Sequence, residues 1–369
     1  MSASGRHGRL AVFMPSFRGG GAERVMVTLA RGYAERGVAV DVVVAPNAGP
    51  NVPAPGEAFR VVDLRAGRVM TALPGLARYL RREAPKVMLS ALPHANVVAV
   101  WARILTRART RIVLSEHTTP SLSAAHALQQ RARFLPFFMR RAYPKADAIV
   151  AVSDGVADDL AALLGLERTA ITRIYNPVVS ARIAMLAAEP VDHAWFAPGE
   201  PPVILGVGRL TAAKDFATLI RAFAELRGRR PARLLILGEG EERTKLTSLA
   251  RELRVIDDVS LPGFENNPYR YMRRAGAFAM SSRWEGLGNV LVEAMACGAP
   301  VVSTDCPNGP REILEGGRYG RLVPVGDGPA LASAIEACLA GPAMTTALVR
   351  ADAFSVDAAL EHYAAVLAL

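Results

Sequence analysis

One pattern, occurring twice, constrains this chain more than any other feature. Short apolar runs rich in β-branched residues alternate with helix-length stretches. The first round places strands at Arg9–Met14, Val38–Ala45, Phe59–Leu64, Val87–Ala91, Arg111–Ser115 and Ala148–Val152. Helices fit between them at Ala22–Glu35, Met70–Arg82, Asn96–Arg107 and Asp154–Leu164. The second round predicts strands at Val203–Val207, Arg233–Leu237, Val259–Leu261, Ala277–Met280, Pro300–Ser303 and Arg321–Val323. Its helices fit Asp215–Leu226, Glu241–Leu253, Gly288–Ala296 and Pro329–Leu339, with a last capped helix at Ser355–Leu367. Strands that are apolar throughout, rather than at every other position, are buried on both faces. That is the mark of a parallel sheet covered by crossover helices.

Between the rounds, Asn176 to Pro202 carries five prolines and no sheet pattern. The expected organisation is therefore α/β, with two Rossmann-like doubly wound domains. The N-terminal domain takes 1–178, a linker 179–202, the C-terminal domain 203–354, and the remainder is a terminal helix at 355–369, with packing back on the first domain as its expected course. A chain of 369 residues suits two domains of ordinary size. Tandem doubly wound domains create a cleft at the carboxyl ends of their strands, where ligands of such folds bind.

Bulk properties exclude several classes. With 51% hydrophobic and 21% charged residues the chain is neither disordered nor fibrous. Its three cysteines, Cys297, Cys306 and Cys338, form no CxxC pair, which argues against a disulfide scaffold or structural zinc and fits a reducing, intracellular compartment. The N-terminal apolar stretch before Pro15 is too short for a secretory signal. The most membrane-like segment, between Lys86 and Arg103, is interrupted by Pro93, His94 and Asn96, so a cytoplasmic protein, peripheral at most, is expected. Charge is uneven. Residues 1–180 hold 24 basic and 12 acidic side chains, the remainder 20 and 22. An excess confined to the first half points to an anionic partner for that half.

The strongest local signal is Glu285-Gly286-Leu287-Gly288-Asn289-Val290-Leu291-Val292-Glu293, continuing into an Ala-Met-Ala-Cys-Gly-Ala-Pro-Val-Val run. A glycine turn after a strand opens a helix at Gly288, whose N-terminus suits a phosphate. Two glutamates eight apart usually mean two solvated carboxylates, but Glu293 lies inside an apolar helix, where an unsatisfied carboxylate would be costly. This Glu-x7-Glu segment resembles the retaining family 4 glycosyltransferases, which have the GT-B fold and use nucleotide-sugar donors. The resemblance runs over nearly the whole chain.

The resemblance implies roles for further residues. In Gly206-Val207-Gly208-Arg209-Leu210-Thr211-Ala212-Ala213-Lys214-Asp215, Arg209 and Lys214 match the cations that hold the donor diphosphate. The chemistry agrees, because a departing nucleoside diphosphate gains negative charge in the transition state. Gly20 and Gly21, in a triple-glycine loop after the first strand, match a loop lying against the donor phosphates and the acceptor. His117, in Ser115-Glu116-His117-Thr118, matches the histidine that contacts the transferred sugar. Asn308-Gly309-Pro310-Arg311-Glu312 carries Asn308 where many members have a first glycine. The candidate catalytic set is Arg209, Lys214, Glu285 and His117. The donor-binding set is Gly20, Gly21, Arg209, Lys214, Glu285, Gly286, Leu287, Gly288, Asn289 and Glu293. Glu293 is expected to hydrogen-bond the ribose, and Glu285 the hydroxyls of the sugar. His94 is read as structural.

The segment from Gln129 to Tyr143 interleaves Arg131, Arg133, Arg140 and Arg141 with aromatics including Phe137 and Phe138. A basic, aromatic, amphipathic segment reads as binding an anionic membrane surface, and equally as a core helix with a solvated arginine edge. No Asp-x-Asp metal motif stands at a strand end, so metal independence and no cofactor are expected. The expected function is transfer of a sugar from a nucleoside diphosphate, UDP foremost, to a glycan or lipid-linked acceptor in cell-surface polysaccharide, lipopolysaccharide or glycolipid synthesis. Two alternatives stand beside it: a GT-B epimerase or phosphorylase, and a non-catalytic two-domain ligand binder. A nucleic-acid partner is not expected, since no recognition motif accompanies the basic half.

Overall fold

The first seven strands are β1 (Leu10–Met14), β2 (Val40–Val44), β3 (Arg60–Asp63), β4 (Val87–Ala91), β5 (Arg111–Glu116), β6 (Ala148–Ala151) and β7 (Ile171–Arg173). They belong to a computed structural model that describes residues 8–17, 20–49, 52, 56–125, 134–341 and 346–369. These strands form one parallel sheet in the order β3-β2-β1-β4-β5-β6-β7. The crossovers contain α1 (Gly21–Glu35), α2 (Leu73–Glu83), α3 (Pro93–Thr106), α4 (Pro120–Ala125), α5 (Leu135–Ala142) and α6 (Asp154–Leu164). β1, β2 and β4 are buried at every position, as strands covered on both faces must be. α1 buries Val25, Met26, Leu29 and Tyr33 against them. At the start of α6 the Ser153 hydroxyl accepts from the Val156 N–H (3.2 Å), satisfying one orphan donor of the first turn. Winding runs outward from β1 in one direction and from β4 in the other. Their carboxyl ends are therefore the switch point of this sheet.

Residues 178–355 form the second unit. It starts with α7 (Ala181–Ala188) and continues through β8 (Val203–Val207), α8 (Phe216–Arg227), β9 (Arg233–Leu237), α9 (Arg243–Glu252), β10 (Val259–Gly263), α10 (Tyr269–Met272) and β11 (Ala277–Met280). After these come α11 (Asn289–Ala296), β12 (Val301–Thr304), α12 (Pro310–Ile313), β13 (Arg321–Val323), α13 (Gly328–Ala340) and α14 (Thr346–Ala351). The sheet is again parallel, ordered β10-β9-β8-β11-β12-β13, with its switch point between β8 and β11. Phe216, Leu219 and Phe223 of α8 and Leu331 and Ile335 of α13 fill the core on one face.

The stretch 179–202 is not a linker, which corrects that expectation: it belongs to the second unit. α7 buries Ile183 and Ala187, and the Asn267 side-chain amide donates to the Leu186 carbonyl (2.9 Å) and to Glu189 (2.8 Å). Pro177 and Pro190 bracket the helix rather than interrupt it.

The last helix, α15 (Val356–Leu367), completes the first unit, which comprises 1–177 and 356–369. Leu360, Tyr363 and Leu367 join its core. The Tyr33 hydroxyl donates to the Leu360 carbonyl (2.7 Å), and the Tyr363 and Ser115 hydroxyls lie 2.9 Å apart. Among the described residues no helix is long and apolar enough to cross a membrane.

Candidate active site

The second sheet brings its polar loops together where its winding reverses. β8 runs into a loop that ends at Asp215, and β11 into a loop through Ser281 to Gly288. Lys214 and Glu285, on these adjacent loops, form an ion pair, and the Ser282 hydroxyl donates to the same Glu285 oxygen (2.7 Å). Both are mostly shielded, with 22% of the Lys214 side chain and 12% of the Glu285 side chain exposed.

Three contacts stitch the loops. The Ser281 hydroxyl donates to the Lys214 carbonyl (2.9 Å), the Arg283 N–H to the Ala213 carbonyl (2.8 Å), and Arg283 Nε to Asp215 (3.0 Å). Asp215 also caps α8, taking the Thr218 N–H (3.4 Å) and hydroxyl (2.9 Å). It does so at φ +45°, a backbone conformation that costs about 1–3 kcal/mol in a non-glycine residue and persists only where surroundings over-determine it. The adjoining thiol of Cys306 is buried, and burial with the nearby Glu285 carboxylate pushes it up to about 12.

α11 opens from this cluster. Gly309, at φ +96°, is packed so closely on the Leu287 carbonyl that a Cβ would overlap it. Asn308 sits at φ +68°, the left-handed region that asparagine tolerates better than most side chains. Glu293 is buried in the second turn of α11, where the Tyr269 hydroxyl of α10 donates to it (3.5 Å). Gly238, after β9, is likewise held against the Gly208 carbonyl. Arg209 is exposed on the β8 loop and makes no ion pair among the described residues. Glu312 lies in the short α12.

The remaining candidates belong to the first unit. Gly20 precedes α1 and Gly21 is its first residue; the Glu23 carboxylate folds into the space a side chain at Gly20 would take. His117 follows β5 and is buried, with Nε2 3.0 Å from the Ser115 hydroxyl. Burial pushes this imidazole down to about 4, with the Asn176 amide beside it opposing, so the ring is neutral at pH 7. Beneath it, Glu116 is fully buried and accepts from the Tyr143 hydroxyl (2.8 Å), the Thr118 hydroxyl (2.8 Å) and the N–H groups of His117 (3.1 Å) and Thr118 (3.2 Å). Burial lifts its carboxyl to about 7 against those donors. His94 follows β4, and burial lowers its imidazole pKa. On α5, Phe137, Phe138, Arg140 and Arg141 are all exposed; Arg131 and Arg133 lie outside the described residues.

Sequence reasoning singled out Lys214 and Glu285 but missed Ser282, Asp215 and Glu116, whose function is to hold others. A signal existed for one of them: an acid immediately before the strand-end histidine, within an apolar strand. Among the described residues no three His, Cys, Asp or Glu side chains are grouped to hold a metal ion.

Two all-parallel, doubly wound units with polar loops at a carboxyl-end switch point define the GT-B class of architecture. Residues 19–182 match the family described as Glycosyltransferase Family 4, and residues 190–352 that described as Glycosyl transferases group 1. The lipopolysaccharide core biosynthesis glycosyltransferase LpsE of Rhizobium meliloti is 30% identical over 364 residues, 95% of this chain and 96% of that protein. A Campylobacter jejuni enzyme, the N-acetylgalactosamine-N,N'-diacetylbacillosaminyl-diphospho-undecaprenol 4-alpha-N-acetylgalactosaminyltransferase, is 36% identical over 63% of this chain and 61% of its own length. The Anabaena HepE structure with UDP and glucose superposes with a TM-score of 0.78 at 22% identity, covering 98% of this chain and 100% of that one. The chain belongs to glycosyltransferase family 4.

Proposed function

We propose that this protein transfers a sugar, with retention of anomeric configuration, from a nucleoside-diphosphate sugar to a lipid-linked or glycan acceptor in cell-surface polysaccharide or lipopolysaccharide synthesis. The observation that carries the reading is the Lys214–Glu285 pair at the second switch point, a fixed cation beside a fixed carboxylate on loops of neighbouring strands. Lys214 and Arg209 hold the diphosphate, Glu285 accepts from hydroxyls of the sugar, and Glu293 from the ribose. Gly20, Gly21 and the Gly286–Asn289 turn approach the donor through backbone, and neutral His117 hydrogen-bonds the transferred sugar.

In the reaction the acceptor hydroxyl oxygen bonds to the anomeric carbon on the face the leaving group departs from. The carbon–oxygen bond to the diphosphate breaks with its electron pair going to the diphosphate, which takes up the acceptor's proton. Charge grows on that leaving group, so cations fixed beforehand stabilise the transition state more than the ground state. They supply what a divalent cation would supply elsewhere, and the reaction needs no metal or cofactor.

UDP is the favoured nucleotide; it is the one bound in the HepE structure. A diphosphate-lipid acceptor is in keeping with the name of the Campylobacter relative. The exposed Phe137, Phe138 and Arg141 of α5 favour peripheral contact with an anionic membrane surface, on its cytoplasmic side. A panel of UDP-, GDP- and ADP-sugars, scored by thermal shift and by hydrolysis, tests the donor class: a UDP-sugar is expected to stabilise the protein and be slowly hydrolysed, undiminished by EDTA. No shift with any sugar nucleotide, or total loss of turnover in EDTA, would refute the corresponding part.

A further inference from the structure

Beside the switch point of the first sheet lies a cavity of about 270 Å³ that no part of the reaction above uses. The ends of β1 and β4 supply Pro15 and Leu92 to its wall, α4 supplies Ala124, and α5 supplies Leu135, Pro136 and Met139. The few polar side chains there offer little. The Thr118 hydroxyl is turned to Glu116 (2.8 Å), and His94 and Ser123 are exposed at the rim, so the rest of the wall is apolar. A sugar or nucleotide placed here would leave hydroxyls without partners, a cost of order 1–3 kcal/mol each. The wall suits hydrocarbon. The volume falls just below that of sites taking whole drug-sized ligands, about 300–1,000 Å³, so it suits a segment of chain.

The helix that forms one wall has a second face. Outward of Leu135, Pro136 and Met139, α5 presents Phe137 and Phe138, 51% and 42% exposed, with rings edge to face at 5.5 Å. The Arg141 guanidinium lies 3.6 Å over the Phe137 ring, and Arg140 is exposed beside it. Aromatic rings and arginines on one exposed face suit the headgroup level of an anionic lipid surface. One short helix thus joins a surface suited to lipid and diphosphate charge to a cavity suited to a lipid's chain.

We infer that this cavity receives the first isoprenoid units of a polyprenyl-diphosphate-linked acceptor, with the α5 arginines complementing its charge. The inference rests on the lipid-linked acceptor reading and adds where the chain of that lipid goes. It is tested on the full chain with farnesyl diphosphate as probe, measured by calorimetry below its micelle concentration against inorganic pyrophosphate and dodecyl phosphate. Farnesyl diphosphate is expected to bind at least about tenfold tighter than pyrophosphate, roughly the gain from burying two methylenes, and tighter than dodecyl phosphate. Ala124→Trp, which fills the cavity, and Ser123→Trp at its wall should each weaken it at least about tenfold. Both should keep the parent's UDP-induced thermal shift; two variants guard against one failing to fold. Equal affinity for pyrophosphate, or wild-type affinity in both variants, would overturn the cavity site. Equal affinity for dodecyl phosphate would overturn the isoprenoid assignment. Loss of the UDP shift in the parent, with farnesyl diphosphate behaving as expected, would instead fall on the donor reading and leave the cavity intact.

Discussion

Lys214 lies 71 positions before Glu285, and only the fold makes them partners. Motif spacing named both residues but could not pair them, because pairing depends on β8 and β11 being neighbours in the sheet. Nor could it find Asp215 or Ser282, whose contacts arise from loop conformation. Replacing Lys214 or Arg209 by alanine should lower kcat about 10²–10³-fold, the usual cost of removing one preorganised charge stabiliser. Steady-state kinetics on each variant checks this, and unchanged kcat would remove that residue from the mechanism. The adjacent Glu116 and His117 give opposite pH signatures. Glu116 holds its proton to about pH 7 when folded but releases it nearer 4.5 when unfolded, so its burial costs stability progressively as pH rises from about 4.5 to 7. His117 is lowered from 6.5 to about 4, so stability is lost as pH falls through that window. Chemical denaturation should therefore show Glu116→Gln removing a loss of stability as pH rises from about 4.5 to 7, and His117→Gln removing a loss as pH falls from 6.5 to about 4. A change of the same sign with pH in both variants would contradict these assignments.

At the scale of elements, strands with continuous apolar runs were legible to within a residue or two, since burial on both faces leaves no room for a polar alternation. β7 was not: it is three residues long, and two of them, Thr172 and Arg173, are exposed. α7 was hidden by the prolines around it. α10 and α12, of four residues each, are too short for any helical period to register. α5 was legible as an amphipathic segment but not as the wall of a cavity, because its inner contacts lie on other crossovers. Its outer face carries a prediction of its own. Phe137→Ser together with Arg141→Glu should sharply reduce co-sedimentation with vesicles containing anionic phospholipid, while leaving UDP-sugar hydrolysis in solution near the parent rate. Equal sedimentation of variant and parent would place the membrane contact elsewhere or nowhere.

For the whole molecule, the twofold alternation foretold two parallel α/β units, whereas the true boundary depended on contacts sequence does not display. The chain crosses between units at 177/178 and again at 355/356. Removing residues 356–369 would strip Leu360, Tyr363 and Leu367 from the first core, each worth about 2–5 kcal/mol, against a total of about 5–15 kcal/mol for a domain. Hydrogen exchange on such a truncation should show the first unit unprotected from β1 to β5 and the second unit native. Uniform protection would refute the account of α15.

Just inside the second crossing, the Phe354 carbonyl accepts from both the Val178 and Val179 N–H groups (2.9 Å each), and Val179 bridges Ser355. Entry to and exit from the second unit are thus fastened together, as in an insertion with closely spaced ends. On the ribosome, residues 178–355 can emerge and fold while the N-terminal sheet still lacks its closing helix. The half synthesised first is the half finished last, and until then the core that Leu360, Tyr363 and Leu367 close is a surface for chaperones to guard.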